Sequence, residues 1–551
     1  MLHFNHGNIN YLNLQTMKKT IFFIIAAVVL LLNSACSDLL DEKVYSQVTT
    51  EFITSTPTGM ACAVLAMYEK DREIFRNNSD AETTLWTNML IGDDISVCRS
   101  GSGIPQFGRY TMLPKTTSVE ALWQQEYSLI GYAHLVIATA DKVDMTDPVA
   151  IQALAEAKVF RAHAYFWLIR KYDRIFLTTR VVTPQNINDS VKYAPAVPDT
   201  VYKLINSDLD YAIAHLSWPS TNTQSGRFTQ GAARHIKAKV AAWLGNWQEV
   251  ANQVNAIDKS AKYSLLANVN DVFNSPDLNQ SEAILTSQWS KGIGGWYFNP
   301  VTGTNSGHRM PLHFTPLYNQ ERGMTIDLAS GNYPWGRIFP NNYLLGLYDK
   351  TKDQRYKAFY KLSWTYNLAS TLPVGKKLGD TIVAIGAAQY LNVHPMCTKY
   401  NDIWTRIVST TADYSCKDII IYRLPETYLM GAEAYLHLGK ADSTAYYYNK
   451  TWVRAGNTAM AVGTVTQDMI TDEHARELAF EGDRWFYLKR NGILLDRVRK
   501  NGGEYYKKGT IVMIADTAVR VNIKDFHVRW PIPQTQIDQM GAANFPQNTG
   551  Y

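Results

Sequence analysis

One stretch restricts the fold more than any other: Glu473–Gly492, E-H-A-R-E-L-A-F-E-G-D-R-W-F-Y-L-K-R-N-G. Leu478, Phe480, Trp485, Phe486 and Leu488 supply apolar surface for a buried helix. Glu473, Glu477 and Glu481 recur every four residues and would share one helix face. Three carboxylates in a stripe repel one another. Arg476, Arg484 and Arg490 are spaced to answer them, within the helix or across to a neighbour. Asn491-Gly492 supplies a stop, because either residue tolerates the left-handed turn that ends helices. A chain that buries such a stripe needs other helices to pack against it. The stripe also has a catalytic reading, since a carboxyl pair is the machinery of glycoside hydrolysis. Neighbouring arginines weigh against it, because they lower the pKa that a general acid needs raised. No metal-ligand cluster and no Gly-rich phosphate loop accompanies the stripe, so neither cofactor nor metal is expected.

Helical periodicity recurs elsewhere. Thr58–Phe75, Val119–Val143, a helix starting at Pro148 and running through Asp173, Asp199–Leu216 and a helix ending at Leu244 all carry it. Asp199 or Thr200 is the expected N-cap of the fourth. Ala241-Ala242-Trp243-Leu244-Gly245-Asn246 is echoed by Ala434-Tyr435-Leu436-His437-Leu438-Gly439-Lys440. Both resemble the helical hairpins of tetratricopeptide (TPR) repeats. Such hairpins bury their apolar faces only by stacking. The fold class expected is mainly α: stacked TPR-like hairpins as a scaffold, with a large irregular insertion over 264–420.

Five motifs together resemble the SusD/RagB family of surface lipoproteins, which capture glycans in Bacteroidetes. Tyr422-Arg423-Leu424-Pro425-Glu426-Thr427-Tyr428-Leu429-Met430-Gly431-Ala432-Glu433-Ala434 is similar to the family's Y-R-L-A-E-x-Y-L-x-x-A-E-A. Glu156–Phe166 is similar to E-A-x-x-x-R-A-x-x-Y-F, with His163 as unusual company. Gly226–Ala233 is similar to G-R-x-T-x-x-A-A, and Glu473–Arg490 to the C-terminal signature. Trp530-Pro531-Ile532-Pro533 to Gln547-Asn548-Thr549-Gly550-Tyr551 resembles Y-P-I-P…Q-N-P-G-Y, with Trp530 and Thr549 departing from the commoner Tyr and Pro. The resemblance implies a glycan ligand, no enzymatic activity and a SusC-like TonB-dependent outer-membrane transporter as partner. These are scaffold motifs and carry no ligand residue over.

The first residues fit that implication. Ile21–Leu32 is an apolar run behind Lys18-Lys19, too short to span a bilayer and shaped like a secretory signal. Residues 1–16 lack that logic, and Met17 reads as the true start. Leu32-Asn33-Ser34-Ala35-Cys36 resembles a lipoprotein cleavage site, with 17–35 as signal peptide and Cys36 as the lipidated residue. Acyl chains on Cys36 would hold the protein on the outer membrane, facing the exterior. Ser37-Asp38 and Asp41-Glu42 resemble a surface-export signal, and 36–57 reads as a tether. Residues 58–263 form the N-terminal helical region, 264–420 the ligand side and 421–551 the C-terminal region.

Composition limits the partners. Net charge is +5 with no long basic run, which argues against nucleic acid. The 33 Tyr and 14 Trp suit sugar stacking and equally suit helix packing. Cys62, Cys98, Cys397 and Cys416 show no C-x-x-C spacing, and a Cys397–Cys416 disulfide stays open. Composition alone nominates the ligand-binding residues: Trp86, Asp93, Asp94, Arg99, Trp289, Trp296, Tyr297, Trp335 and Trp364. Asp93-Asp94 by itself lacks the six to eight oxygens that calcium takes. Two other functions compete with a glycan-binding lipoprotein. An all-helical glycoside hydrolase would need two carboxyls about 5–9.5 Å apart in a cleft. A TPR-type surface protein would bind peptide rather than sugar.

Overall fold

The computed structural model describes residues 50–75, 85–99, 105–181, 186, 191, 193–220, 225–290, 297–299, 304–384, 386–406, 414–508 and 511–551. Ile53–Tyr551 form one compact unit. The signal segment, Cys36 and most of the 36–57 tether lie outside the described residues; Thr50–Ser55, read as tether, is helical.

Helices carry the architecture. Pro57–Asp71 (α1), Thr117–Thr139 (α2), Pro148–Tyr172 (α3) and Pro198–His215 (α4) pack in sequence order around α3. Gln230–Trp243 (α5) pairs with Trp247–Lys259 (α6), and Leu424–His437 (α7) with Ala441–Arg454 (α8). Gln467–Leu478 (α9), Arg484–Arg490 (α10) and Leu494–Asn501 (α11) follow. α3 is the central helix: Asp147 caps the Val149 amide, Pro148 sits in the first turn where its missing N–H is harmless, and residues 159–172 are all buried. A helix buried on every side belongs to the middle of a bundle, and the charges it carries there are met, as Arg161 is by Asp208 at 2.7 Å.

The two hairpins turn as the repeated L-G predicts. Gly245 and Gly439 both take positive φ, at 70° and 67°, a conformation costly for any residue with a Cβ. α5, α6, α7 and α8 then share one apolar cluster built around Val250, Val254, Leu424, Tyr428, Tyr447 and Tyr448. The two halves of the chain therefore contribute to one core. One expectation at a helix start is corrected: α4 begins at Pro198 with Val197 as cap residue, because proline is preorganised for a first turn.

The stripe is broken. α9 ends at Leu478; Ala479–Asp483 is a turn in which Phe480 and Gly482 take φ of 63° and 92°, so Glu481 lies beyond the helix rather than on its face. A Cβ at Gly482 would stand 2.7 Å from the Trp86 ring, so only glycine lets this turn close on that side chain. The C-terminal motif closes the bundle. Asn548 Nδ2 donates to the Tyr172 and Trp530 carbonyls at 2.7 and 2.8 Å, and the Trp530 amide donates to Lys171 O at 2.7 Å. His163 accounts for its place in α3 by meeting the Tyr422 hydroxyl at 2.7 Å.

Residues 264–420 hold short pieces, as expected. Among the described residues they contribute to antiparallel two-stranded pairs: Ala283–Ser287 with Ile419–Arg423, Tyr297–Asn299 with Thr304–Ser306, Tyr360–Lys361 with Met396–Cys397, and Ile338–Pro340 with Ser96–Cys98.

Candidate functional site

The buried charges come first, because they decide which acidic residues stay available. Arg355 is fully buried and donates to Glu473 at 2.6 Å, to Glu477 at 2.8 Å and to both Asp353 oxygens at 2.9 and 2.7 Å. Arg423 reaches Glu477 and Glu481 at 2.6 Å each, and Arg454 reaches Glu282 at 3.0 Å and also Glu477. Burial raises the Glu477 pKa, but Arg454, Arg423 and Arg355 outweigh it and hold the carboxyl well below its usual range. The stripe is thus neutralised by arginine, chiefly Arg423 at the end of the 419–423 strand, Arg454 of α8 and Arg355. Of its local arginines only Arg476 answers it, at Glu473; Arg484 pairs with Asp94 and Arg490 with Glu433. Glu473 and Glu477 have no exposed side-chain surface, so the carboxyls nominated for hydrolysis lack access to a sugar.

Five of the nominated binding residues are part of this frame, a correction to the reading from composition. Trp86 is 3% exposed, packs on Phe75 and Trp167 and donates its indole N–H to Tyr400 at 3.1 Å. Asp94 is buried and chelates the Arg484 guanidinium with two bonds of 2.8 Å. Asp93 caps the Ile95 and Ser96 amides at 3.1 and 2.8 Å; burial, then Asp94, pushes its carboxyl up to about 6. Trp364 is 1% exposed, and Trp289 is buried edge-on to His308 under Arg72. Large flat side chains and acids fill a core and a ligand platform equally well, and the sequence does not separate the two uses. Trp296 lies outside the described residues; Tyr297 is in a strand, with its side chain outside them.

Trp335 and Arg99 remain, and the fold brings them together. The amides of Trp335, Gly336 and Arg337 donate to Leu312, Thr315 and His313 at 3.1, 2.7 and 2.8 Å. Arg99 N donates to Arg337 O at 2.8 Å, extending the 96–98 and 338–340 pairing to the platform. A side chain at Gly336 would meet Arg99 Nη1 at 3.5 Å. Trp335 is half-buried, with His313 edge-on to its ring at 5.2 Å and Arg309 over it at 5.4 Å. Tyr414 takes the same guanidinium at 4.8 Å and its hydroxyl accepts from Arg309. Tyr414 arrives there because His308 and Ser415 exchange two backbone hydrogen bonds of 2.8 Å. Burial, then Arg337 and Arg309, lowers His313 to about 3, so its ring is neutral and does not repel the arginines. Burial, then Arg337, also lowers Arg99.

The result is a partly exposed tryptophan bordered by Arg309, Arg99 and Arg337, all half-buried. Indole faces take sugar C–H surfaces and guanidinium N–H groups donate to hydroxyl oxygens. Sequence reasoning missed Arg309 and Tyr414. They stand 105 positions apart and are brought together by the bridge at His308–Ser415. Cys62, Cys98 and Cys397 are free thiols, so the Cys397–Cys416 disulfide is not formed.

This mainly α frame of stacked hairpins is the fold shared with SusD-like proteins of known structure. The family models for "SusD family" and "Starch-binding associating with outer membrane" match residues 286–551 and 38–241, and the chain belongs to the SusD/RagB family. SusD-like protein P25 of Formosa agariphila is 25% identical over 94% of this chain and 97% of its own length. A solved structure described as a laminarin binding SusD-like protein is 22% identical, with a TM-score of 0.69, covering 90% of this chain and 100% of that one. Surface glycan-binding protein A from Bacteroides thetaiotaomicron, solved with laminarihexaose, is 18% identical with a TM-score of 0.70 over 90% of this chain and 100% of that one.

Proposed function

We propose that this protein is a cell-surface glycan-binding lipoprotein, anchored to the outer membrane through Cys36. It captures an oligosaccharide or polysaccharide on the Trp335 face and passes it, uncleaved, to a SusC-like TonB-dependent transporter. The single observation that carries the reading is the partly exposed Trp335 side chain, its backbone fixed by hydrogen bonds and a guanidinium over its ring. A flat apolar face with hydrogen-bond donors at its edge suits a sugar ring and requires no chemistry at the bond. Further support comes from the relatives, two of which are described by the glycan they bind, and from a family description that associates starch binding with the outer membrane. The acidic stripe adds nothing catalytic, since arginines occupy it. A glycan array tests the reading: retention of at least one neutral glycan, with no reducing ends released on prolonged incubation, is expected. Binding of peptides with no glycan retained, or release of reducing ends, would overturn it.

A further inference from the structure

A cavity of about 240 Å³ shares no residue with the Trp335 face. Three separate segments line it: Asn270, Phe273 and Asn274; Phe359; and Thr398, Asn401 and Trp404. No lining residue is ionisable. Phe273 and Phe359 meet edge-on at 5.6 Å and give it an apolar wall. Three amides and one hydroxyl supply both donors and acceptors, the combination a ring of hydroxyls needs. Asn401 Oδ1 is buried without a hydrogen bond, a state costing about 1–3 kcal/mol that a donor in the cavity would relieve. The volume is below the roughly 300 Å³ at which pockets for drug-sized ligands begin, so it suits one ring rather than a chain.

The site is also built in advance. Trp404 is 38% exposed, more than any other tryptophan of the described residues. Its backbone is clamped: Asp402 accepts from the Trp404 and Thr405 amides at 2.9 and 2.8 Å and from Ser415 Oγ at 2.8 Å. Lys417 Nζ donates to the carbonyls of Phe273, Lys399 and Asn401 at 2.6, 3.0 and 2.9 Å, which ties two of the cavity's segments together from behind. Its ammonium also stands 5.5 Å from the Trp404 ring. Groups held in place before a ligand arrives lose little freedom on binding.

We infer that the Trp404 cavity is a second carbohydrate subsite, taking one neutral sugar ring between Trp404 and the amides of Asn270, Asn274 and Asn401. This rests on the glycan-binding reading and adds a second point of attachment to it. An uncharged lining selects against acidic sugars, because a carboxylate or sulfate would lose its hydration while the ammoniums of Lys417 and Lys399 behind the wall are already engaged by carbonyls and Glu481.

The full chain, labelled with 5-fluorotryptophan, tests this by fluorine NMR. Trp404→Phe and Trp335→Phe assign the two resonances. Laminarin, starch, xylan and mannan are added as neutral probes, and alginate as an acidic one. The Trp404 resonance should shift with at least one neutral glycan and not with alginate, and Asn401→Ala should weaken that shift's apparent affinity about fivefold. If Trp335 responds while Trp404 stays fixed with every probe, the second subsite is wrong and the main reading stands. If neither responds, the glycan reading fails and takes this inference with it. An equal response to alginate would contradict the neutral selectivity.

Discussion

The arginines around Glu477 and those around Trp335 carry the same guanidinium and put it to opposite uses. In the frame, the side chains of Arg355, Arg423 and Arg454 are buried and paired with carboxylates at 2.5–3.3 Å. At the insertion, Arg309 is half-buried, its guanidinium 5.4 Å from the Trp335 ring centre and 4.8 Å from that of Tyr414, whose hydroxyl it also meets. The guanidinium serves both, since it chelates carboxylates edge-on and is attracted to aromatic rings. The first arrangement fixes α7, α8 and α9 against each other; the second leaves a surface with donors at its rim. A rigid frame and a receptive face thus come from one residue type, and partner and burial decide which.

The largest expected effect falls on the frame. Glu477→Gln leaves three buried cations short of a counter-charge and should lower unfolding stability by about 3–5 kcal/mol, read by denaturant titration. Its pH dependence has a definite sign. The folded pKa of Glu477 lies below the unfolded value of about 4.3, so its contribution is complete above that pH and is lost as pH falls toward the folded value. Denaturant midpoints should therefore fall below about pH 4 in the wild type, and less steeply in Glu477→Gln. Trp86→Ala should cost a similar amount, about 3–5 kcal/mol, by opening a cavity beside Gly482, Phe75 and Trp167.

The face should behave the other way. Trp335→Ala should weaken glycan binding tenfold or more, about 1.4 kcal/mol, with little change in the denaturant midpoint. Arg309→Lys keeps the charge and loses the guanidinium beside Trp335 and its fork toward the Tyr414 hydroxyl, so a drop of about three- to fivefold in affinity is expected by calorimetry. If Arg309→Lys unfolded the protein as readily as Glu477→Gln, the contrast between the two regions would collapse.

The same contrast explains what was readable in the sequence. The frame was legible because periodicity, proline at a first turn and the repeated L-G turn act over a few residues. Neutralisation of the stripe by arginine was legible too, but not by which arginines: Arg355 and Arg423 are 118 and 54 positions from the glutamates they hold. The face was mostly illegible. Trp86, Trp289 and Trp364 look like Trp335 in composition and loop context, and only tertiary packing buries the first three. Asp94 looked available until Arg484, 390 positions away, came to meet it.

The most direct test of the account is a paired calorimetric titration of Trp335→Ala and Trp86→Phe, using the glycan the array retains. The account predicts that Trp335→Ala loses at least tenfold in affinity while folded, and that Trp86→Phe, altered only in the core, binds as the wild type does. Undiminished binding by Trp335→Ala, or a selective loss in Trp86→Phe, would contradict it.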